Sequence, residues 1–135
     1  MAEQMPSIDT WLREAKADPG FRDCGMYLIH NGTVRETPKS EARGIQTNGV
    51  QPGNKVAGMT FDYNDDKVAL AVDKARSLPG ISYVRVWLNR GELAVGDDIM
   101  LVLIGGDIRP RVIAALQQLV GAIKNECVSE IEKPA

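Results

Sequence analysis

Aromatic side chains are scarce in this sequence, 5% of 135 residues. Its core must therefore be built from Val, Ile, Leu and Ala. Cysteine is scarcer still. Cys24 and Cys127 are far apart, form no disulfide framework and match no zinc-ligand spacing. His30 is the only histidine. That excludes a multi-histidine metal cluster, and nothing near Cys127 suggests the His-paired activation a nucleophilic thiol needs. Cys127 reads as a packing residue at a helix end, and no metal is expected. No apolar run approaches the length that spans a bilayer. Met1 to Glu14 alternates polar and charged residues and lacks the apolar core of a signal peptide, so a cytoplasmic protein is expected. A massed charge of one sign is also missing: 16 Lys and Arg stand against 18 Asp and Glu, for a net charge of -2. Nucleic acid needs a concentrated basic face; a small anion needs only two or three well-placed cations.

What is present predicts one domain of interleaved helices and antiparallel strands, residues 1–135, with no repeat. Ser7 caps a short amphipathic helix to about Lys16, with Ile8, Trp11 and Leu12 on its apolar side; Asp18-Pro19-Gly20 ends it. Residues 1–24 thus form an N-terminal helix and linker. Met26 to Val34 reads as a strand. Glu36 to Lys55 is polar and glycine-bearing, a loop or irregular hairpin. Val56 to Tyr63 is a second strand. Asp65 or Asp66 starts a helix carrying Val68, Leu70, Ala71, Val72 and Ala75 at helical spacing, stopped by Leu78-Pro79-Gly80. Ile81 to Leu88 alternates strictly, Tyr83, Arg85 and Trp87 on one face and Val84, Val86 and Leu88 on the other. Ile99 to Ile104 is apolar throughout, as in a strand covered on both faces. Gly105-Gly106-Asp107 breaks it, with Asp107 at the expected N-cap. Pro110 opens the last helix, whose stripe of Val112, Ile113, Leu116, Leu119, Val120 and Ile123 runs to about Glu126. Residues 127–135 read as a short polar tail.

The segment Gly91-Glu92-Leu93-Ala94-Val95-Gly96-Asp97-Asp98-Ile99 resembles a pattern of the molybdopterin synthase large-subunit family: Gly, a short hydrophobic link, then Gly-Asp/Glu before a buried strand. Gly25 to Arg35 is similar to that family's Gly-led strand ending in Gly-x-Val-Arg. Val72-Asp73-Lys74-Ala75-Arg76 resembles its helix before the next strand. Arg109 falls on the arginine of its His-Arg pair and Lys124 on the lysine near the end of the last helix. The resemblance spans about Gly25 to Lys124, and it is the shared order of the motifs that carries it.

That resemblance implies an α+β, α/β hammerhead-type fold, a homodimer, and a heterotetramer with a small ubiquitin-like sulfur carrier ending in Gly-Gly. It implies insertion of sulfur, from the carrier's C-terminal thiocarboxylate, into cyclic pyranopterin monophosphate to make the dithiolene of molybdopterin, with no cofactor. Lys124 would be the catalytic lysine; Val34, Arg35 and Arg109 would bind substrate. Guanidinium groups suit this because they hold phosphate oxygens in a planar fork. The chain departs from the family at several positions. Ile108 replaces the histidine of the His-Arg pair, an earlier His-Arg falls on Leu88 and Asn89, and Ile131 stands where a second lysine is expected. Lys133, two residues further on, is the candidate to replace that lysine through a shifted tail. The alternative is a non-catalytic scaffold of the same fold that binds the carrier or an anionic ligand. Spacing adds one constraint. Arg109 and Lys124 are 124 − 109 = 15 residues apart, about 22 Å at 1.5 Å per helical residue. One small pocket in a single chain cannot take both.

Overall fold

Six successive apolar residues, Ile99 to Ile104, leave a strand no polar face to turn to water, so such a strand needs a layer on either side. The computed structural model, which describes residues 2–135, supplies both layers; Met1 lies outside the described residues. The helices are α1 (Ile8–Ala17), α2 (Lys39–Arg43), α3 (Asp65–Arg76) and α4 (Arg109–Ala122), and the strands are β1 (Met26–Thr33), β2 (Val56–Tyr63), β3 (Ile81–Leu88), β4 (Gly91–Ala94), β5 (Asp98–Gly106) and β6 (Val128–Pro134). They interleave in chain order, with a 3-10 turn at Pro19–Asp23 and a π-turn at Ile123–Cys127. One sheet has the order β1-β5-β3 and the other β4-β2-β6; every pairing is antiparallel. The fold is α+β with antiparallel strands. Among the described residues no helix is long and apolar enough to cross a membrane.

The two faces of β5 look into two clusters. Met100, Val102 and Ile104 pack with Ala75 of α3 and with Val112, Ala115 and Leu119 of α4, and Phe61 and Leu93 of the second sheet join them. Leu101 and Leu103 face the other way, beneath Trp11 and Ala15 of α1. β3 divides likewise: Val84, Val86 and Leu88 meet the first cluster, Tyr83 and Trp87 the second. Each fully buried Leu or Ile contributes about 1.5–3 kcal/mol relative to exposure. The N-terminal segment is fastened by Asn89, which is buried. Its side-chain oxygen accepts from the Glu3 and Arg90 amides, and its amide donates to the Glu3 and Asp98 carbonyls.

The structure corrects the sequence reading at several points. The polar tail is strand β6, paired along β2 from Tyr63↔Val128 to Val56↔Pro134. Only the distant edge of β2 makes it a strand, so no local window reveals it. The Glu36–Lys55 segment is neither bare loop nor hairpin: it contains α2 and is anchored by the buried Ser40, whose hydroxyl donates to the Val50 carbonyl. Helix α3 starts at Asp65, as expected, and its cap is Asn64, whose side chain accepts from the Lys67 amide. Leu70 is 70% exposed and takes no part in the core. Asp107 does not cap α4; the N-cap is Ile108, and the Asp107 carboxylate takes the Ile108 amide and the Arg111 guanidinium. Gly105 and Gly106 continue β5 rather than break it. A Cβ on Gly105 would lie 2.7 Å from the Tyr27 ring and one on Gly106 2.7 Å from the Gly80 carbonyl, so glycine serves close packing there.

Truncation should separate these positions. Leu103→Ala, in the middle of β5, is expected to cost about 2–5 kcal/mol in urea unfolding. Leu70→Ala should stay within about 0.5 kcal/mol. A large loss at Leu70 would mean that α3 packs differently.

Candidate functional site

Antiparallel pairing puts the end of β1 beside the start of β5, Thr33 opposite Asp98. Helix α4 starts beyond the far end of β5 and packs back along the same sheet. Its last turn therefore returns to where β1 ends. There a cavity of about 330 Å³ opens. Arg35 enters it just past β1, Lys39 and Arg43 from α2, Lys124 from the π-turn, and Glu130 and Glu132 from β6. Met59, Val56 and Ile99 are its apolar part.

The charges of the cavity are coupled. The Lys124 ammonium donates to Glu130 Oε1, and Lys39 Nζ lies 3.9 Å from Glu130 Oε2. The Glu130 side chain is 10% exposed and that of Lys124 is 24% exposed, so the carboxylate is shielded from water and held between two ammonium groups. Glu132 Oε2 accepts the Lys39 backbone N–H at 2.8 Å. Among the described residues no carboxylate pairs with Arg35 or Arg43. Four cations against two carboxylates leave an excess of two positive charges in the lining. A hollow with that excess favours an anion, to which lysine and arginine donate charge-assisted hydrogen bonds.

Local structure fixes these side chains. Val34 is buried; its N–H donates to the Asp97 carbonyl and its carbonyl accepts from Gly96 N–H. The two segments that carried the family resemblance, Gly25–Arg35 and Gly91–Ile99, are thus joined immediately before Arg35. Gly96 has φ +92°, a conformation L side chains rarely adopt. At the other wall, the π-turn ends α4 with one extra residue per turn, which seats Ile123 and Cys127 in the core and leaves Lys124 at the cavity. The Cys127 thiol donates to the Ala122 carbonyl, and burial pushes its pKa up, with Glu126 adding to the effect. A thiol so held is a packing group rather than a nucleophile. His30, on β1, is held below its ordinary pKa first by burial and then by the charge of Lys124.

Of the residues singled out in the sequence, the structure brings Arg35 and Lys124 together. Val34 positions Arg35 through its backbone and does not line the cavity. Arg109 is exposed at the opposite end of α4, outside the lining. The helix runs without a break to Ala122 and on through the π-turn, so the separation of about 22 Å holds. Lys133 is on the other face of β6 from Glu130 and Glu132. With Thr60 opposite Ile131 and Glu92 opposite Thr60, its ammonium meets Glu92 at 2.6 Å on the outer side of the second sheet. Sequence reasoning missed Lys39, Arg43, Glu130 and Glu132. The i,i+4 spacing of Lys39 and Arg43, and the alternation of Val128, Glu130 and Glu132, were the available signals. Among the described residues no group of His, Cys, Asp and Glu is placed to hold a metal.

Residues 2–126 match the model of a family described as MoaE protein. No curated protein matches the chain. Among solved structures, the chain is similar to molybdopterin synthase from Staphylococcus aureus, with TM-score 0.71 and 18% identity over 98% of this chain and 88% of that one. It is similar to the molybdopterin biosynthesis MoaE protein from Burkholderia ambifaria MC40-6, with TM-score 0.69 and 18% identity over 98% and 85%. A complex of subunits 1 and 2 of the molybdopterin-converting factor from Helicobacter pylori 26695 contains a further similar chain, with TM-score 0.63 and 12% identity over 96% and 80%. At these identities the likeness is one of fold.

The solitary histidine makes the electrostatics of the cavity measurable. An NMR titration should place the His30 pKa below the ordinary value of about 6.5. Lys124→Met should raise it part of the way back, because burial, the larger cause, remains. The sign for stability follows: the unfolded chain takes up the proton first, so stability is lost as pH falls from about 6.5 through the lower folded value. A His30 pKa unmoved by Lys124→Met would contradict the placement of Lys124 beside it.

Proposed function

Because the chain belongs to the MoaE protein family, whose role lies in molybdenum cofactor biosynthesis, we propose that it is the catalytic large subunit of a molybdopterin synthase. In this reading it takes sulfur from the thiocarboxylated C-terminus of a small ubiquitin-like carrier and inserts it into cyclic pyranopterin monophosphate, two transfers completing the dithiolene. The observation that carries the reading is the convergence of Arg35 and Lys124 on one cavity with an excess of positive charge. The carrier's Gly-Gly tail enters the cavity beneath the Glu36–Lys55 segment. Lys124 stabilises the negative charge that develops as the thiocarboxylate sulfur attacks and the cyclic phosphate opens. Arg35 holds phosphate oxygens, with Val34 fixing where its side chain starts. Lys133 has the lesser part: through Glu92 of β4 it ties β6, and with it Glu130, across β2 within the second sheet.

Arg109 joins this site only from a second copy of the chain. The proposed assembly is a cytoplasmic homodimer with two carriers bound, each active site combining Lys124 of one protomer with Arg109 of the other. The reaction needs no cofactor. A second reading, a scaffold that binds the carrier without turnover, draws on Ile131 at the expected position of a second lysine and on Lys133 facing away from the cavity.

Three measurements separate these readings. The carrier should bind with a Kd tighter than tens of micromolar, roughly the weak end for transient pairs; no binding removes both. With thiocarboxylated carrier and pyranopterin, Lys124→Ala should abolish product while the chain still folds and still forms a measurable complex with the carrier, and Lys133→Ala should cost a smaller part of the activity. Wild-type binding without turnover selects the scaffold. Finally, Arg109→Ala and Lys124→Ala chains, each inactive alone, should recover roughly a quarter of wild-type activity after subunit exchange, since about half the dimers are mixed and each mixed dimer has one intact site. Background activity after confirmed exchange would rule out the shared site.

A further inference from the structure

Lys39 was not among the residues the sequence singled out, yet it belongs to the most tightly coupled group of charges in the cavity. Its backbone N–H is fixed by Glu132 at 2.8 Å, and its ammonium lies 3.9 Å from the carboxylate that also takes Lys124. The carboxylate is largely shielded, whereas the Lys39 side chain is 37% exposed and lines the open cavity. A carboxylate between two ammonium groups presents the geometry that an incoming oxyanion would meet: two donors on converging sides, with Arg35 and Arg43 along the same walls. Bringing several cations together without a counter-ion carries a repulsion cost, and Glu130 removes it while the cavity holds no ligand.

We propose that Lys39 and Lys124 are one anion-binding pair with Glu130 as its resting counter-ion, Lys39 donating directly to a bound oxyanion. The occupant is a terminal oxyanion, either a phosphate or the carboxylate that ends the carrier's tail. Only that choice of ligands rests on the proposed function; the pairing itself rests on the geometry.

The test measures binding of inorganic phosphate and, separately, of carrier ending in a free Gly-Gly carboxylate, by calorimetry on the intact chain. The variants are Lys39→Gln, Lys39→Arg, Glu130→Gln and, as a remote charge control on α1, Lys16→Gln, with the melting temperature checked for each. Lys39→Gln should weaken binding about tenfold, the scale of one lost hydrogen bond to a charged group. Lys39→Arg should restore most of it, and Lys16→Gln should leave it unchanged. Glu130→Gln should bind at least about threefold tighter, because the competing carboxylate is gone. A loss confined to phosphate assigns the pair to the pterin phosphate; a loss confined to the carrier assigns it to the tail. Both outcomes support the pair.

The proposal is overturned if Lys39→Gln binds both ligands as the wild type does, if Lys16→Gln loses as much, if Glu130→Gln binds more weakly at an unchanged melting temperature, or if the wild type binds neither anion. Turnover measured in parallel keeps the two readings apart. Phosphate binding that depends on Lys39, without sulfur transfer, sinks the proposed function alone. Sulfur transfer with no dependence of binding on Lys39 sinks this inference alone.

Discussion

Burial of both faces of β5 is the constraint from which the arrangement follows. Met100, Val102 and Ile104 require one apolar layer and Leu101 and Leu103 another, so α1 must lie on one side and α3 and α4 on the other. The edges of β5 are taken by β1 and β3, so the backbone of the central strand finds partners on both sides within the core. Helix α4 covers the sheet only by returning along it after β5 ends. That return carries the π-turn to the end of β1. The encounter of Lys124 with Arg35 is thus a consequence of covering a hydrophobic strand, and the same geometry leaves Arg109 at the far end.

The second sheet adds the polar half of the site. β6 is amphipathic in an unusual sense, with Val128, Glu130 and Glu132 turned inward and Ser129, Ile131 and Lys133 outward. Carboxylates on an inward face would be costly without partners. They have them: Glu130 is held by Lys124 and Lys39, and Glu132 by the Lys39 amide. The tail, the α2 segment and the end of α4 are therefore joined to one another through charge around the cavity, whereas β5 and the helices that cover it are held through apolar contact. Charge-mediated contacts of this kind can be exchanged for a ligand; a packed apolar core cannot. The cavity is where the fold keeps an exchangeable set of interactions.

Most of the elements were legible from periodicity and punctuation. Ser7 caps α1, Val56–Tyr63 and Ile81–Leu88 are strands over the residues expected, and the apolar run at Ile99 is central and covered on both faces. The family resemblance, resting on the order of weak motifs around Gly25–Arg35 and Gly91–Ile99, agrees with the family the chain belongs to. Arg35 and Lys124 were legible only through that resemblance, since an isolated arginine or lysine in sequence is indistinguishable from a solvated one.

What the sequence by itself determined is the set of elements whose burial is written in local pattern: amphipathic stripes, one doubly buried strand, and the glycines, prolines and caps between them. What only the tertiary structure decided is everything set by a partner distant in sequence. Residues 128–134 are a strand because β2 offers an open edge, and Lys133 faces Glu92 because strand register alternates faces. Leu70 stays in solvent because α3 presents its other side, and Lys39 joins Lys124 because Glu130 lies between them. Pairing, register and shared counter-ions are long-range contacts, and a one-dimensional pattern carries only the preferences of each segment for water or for core.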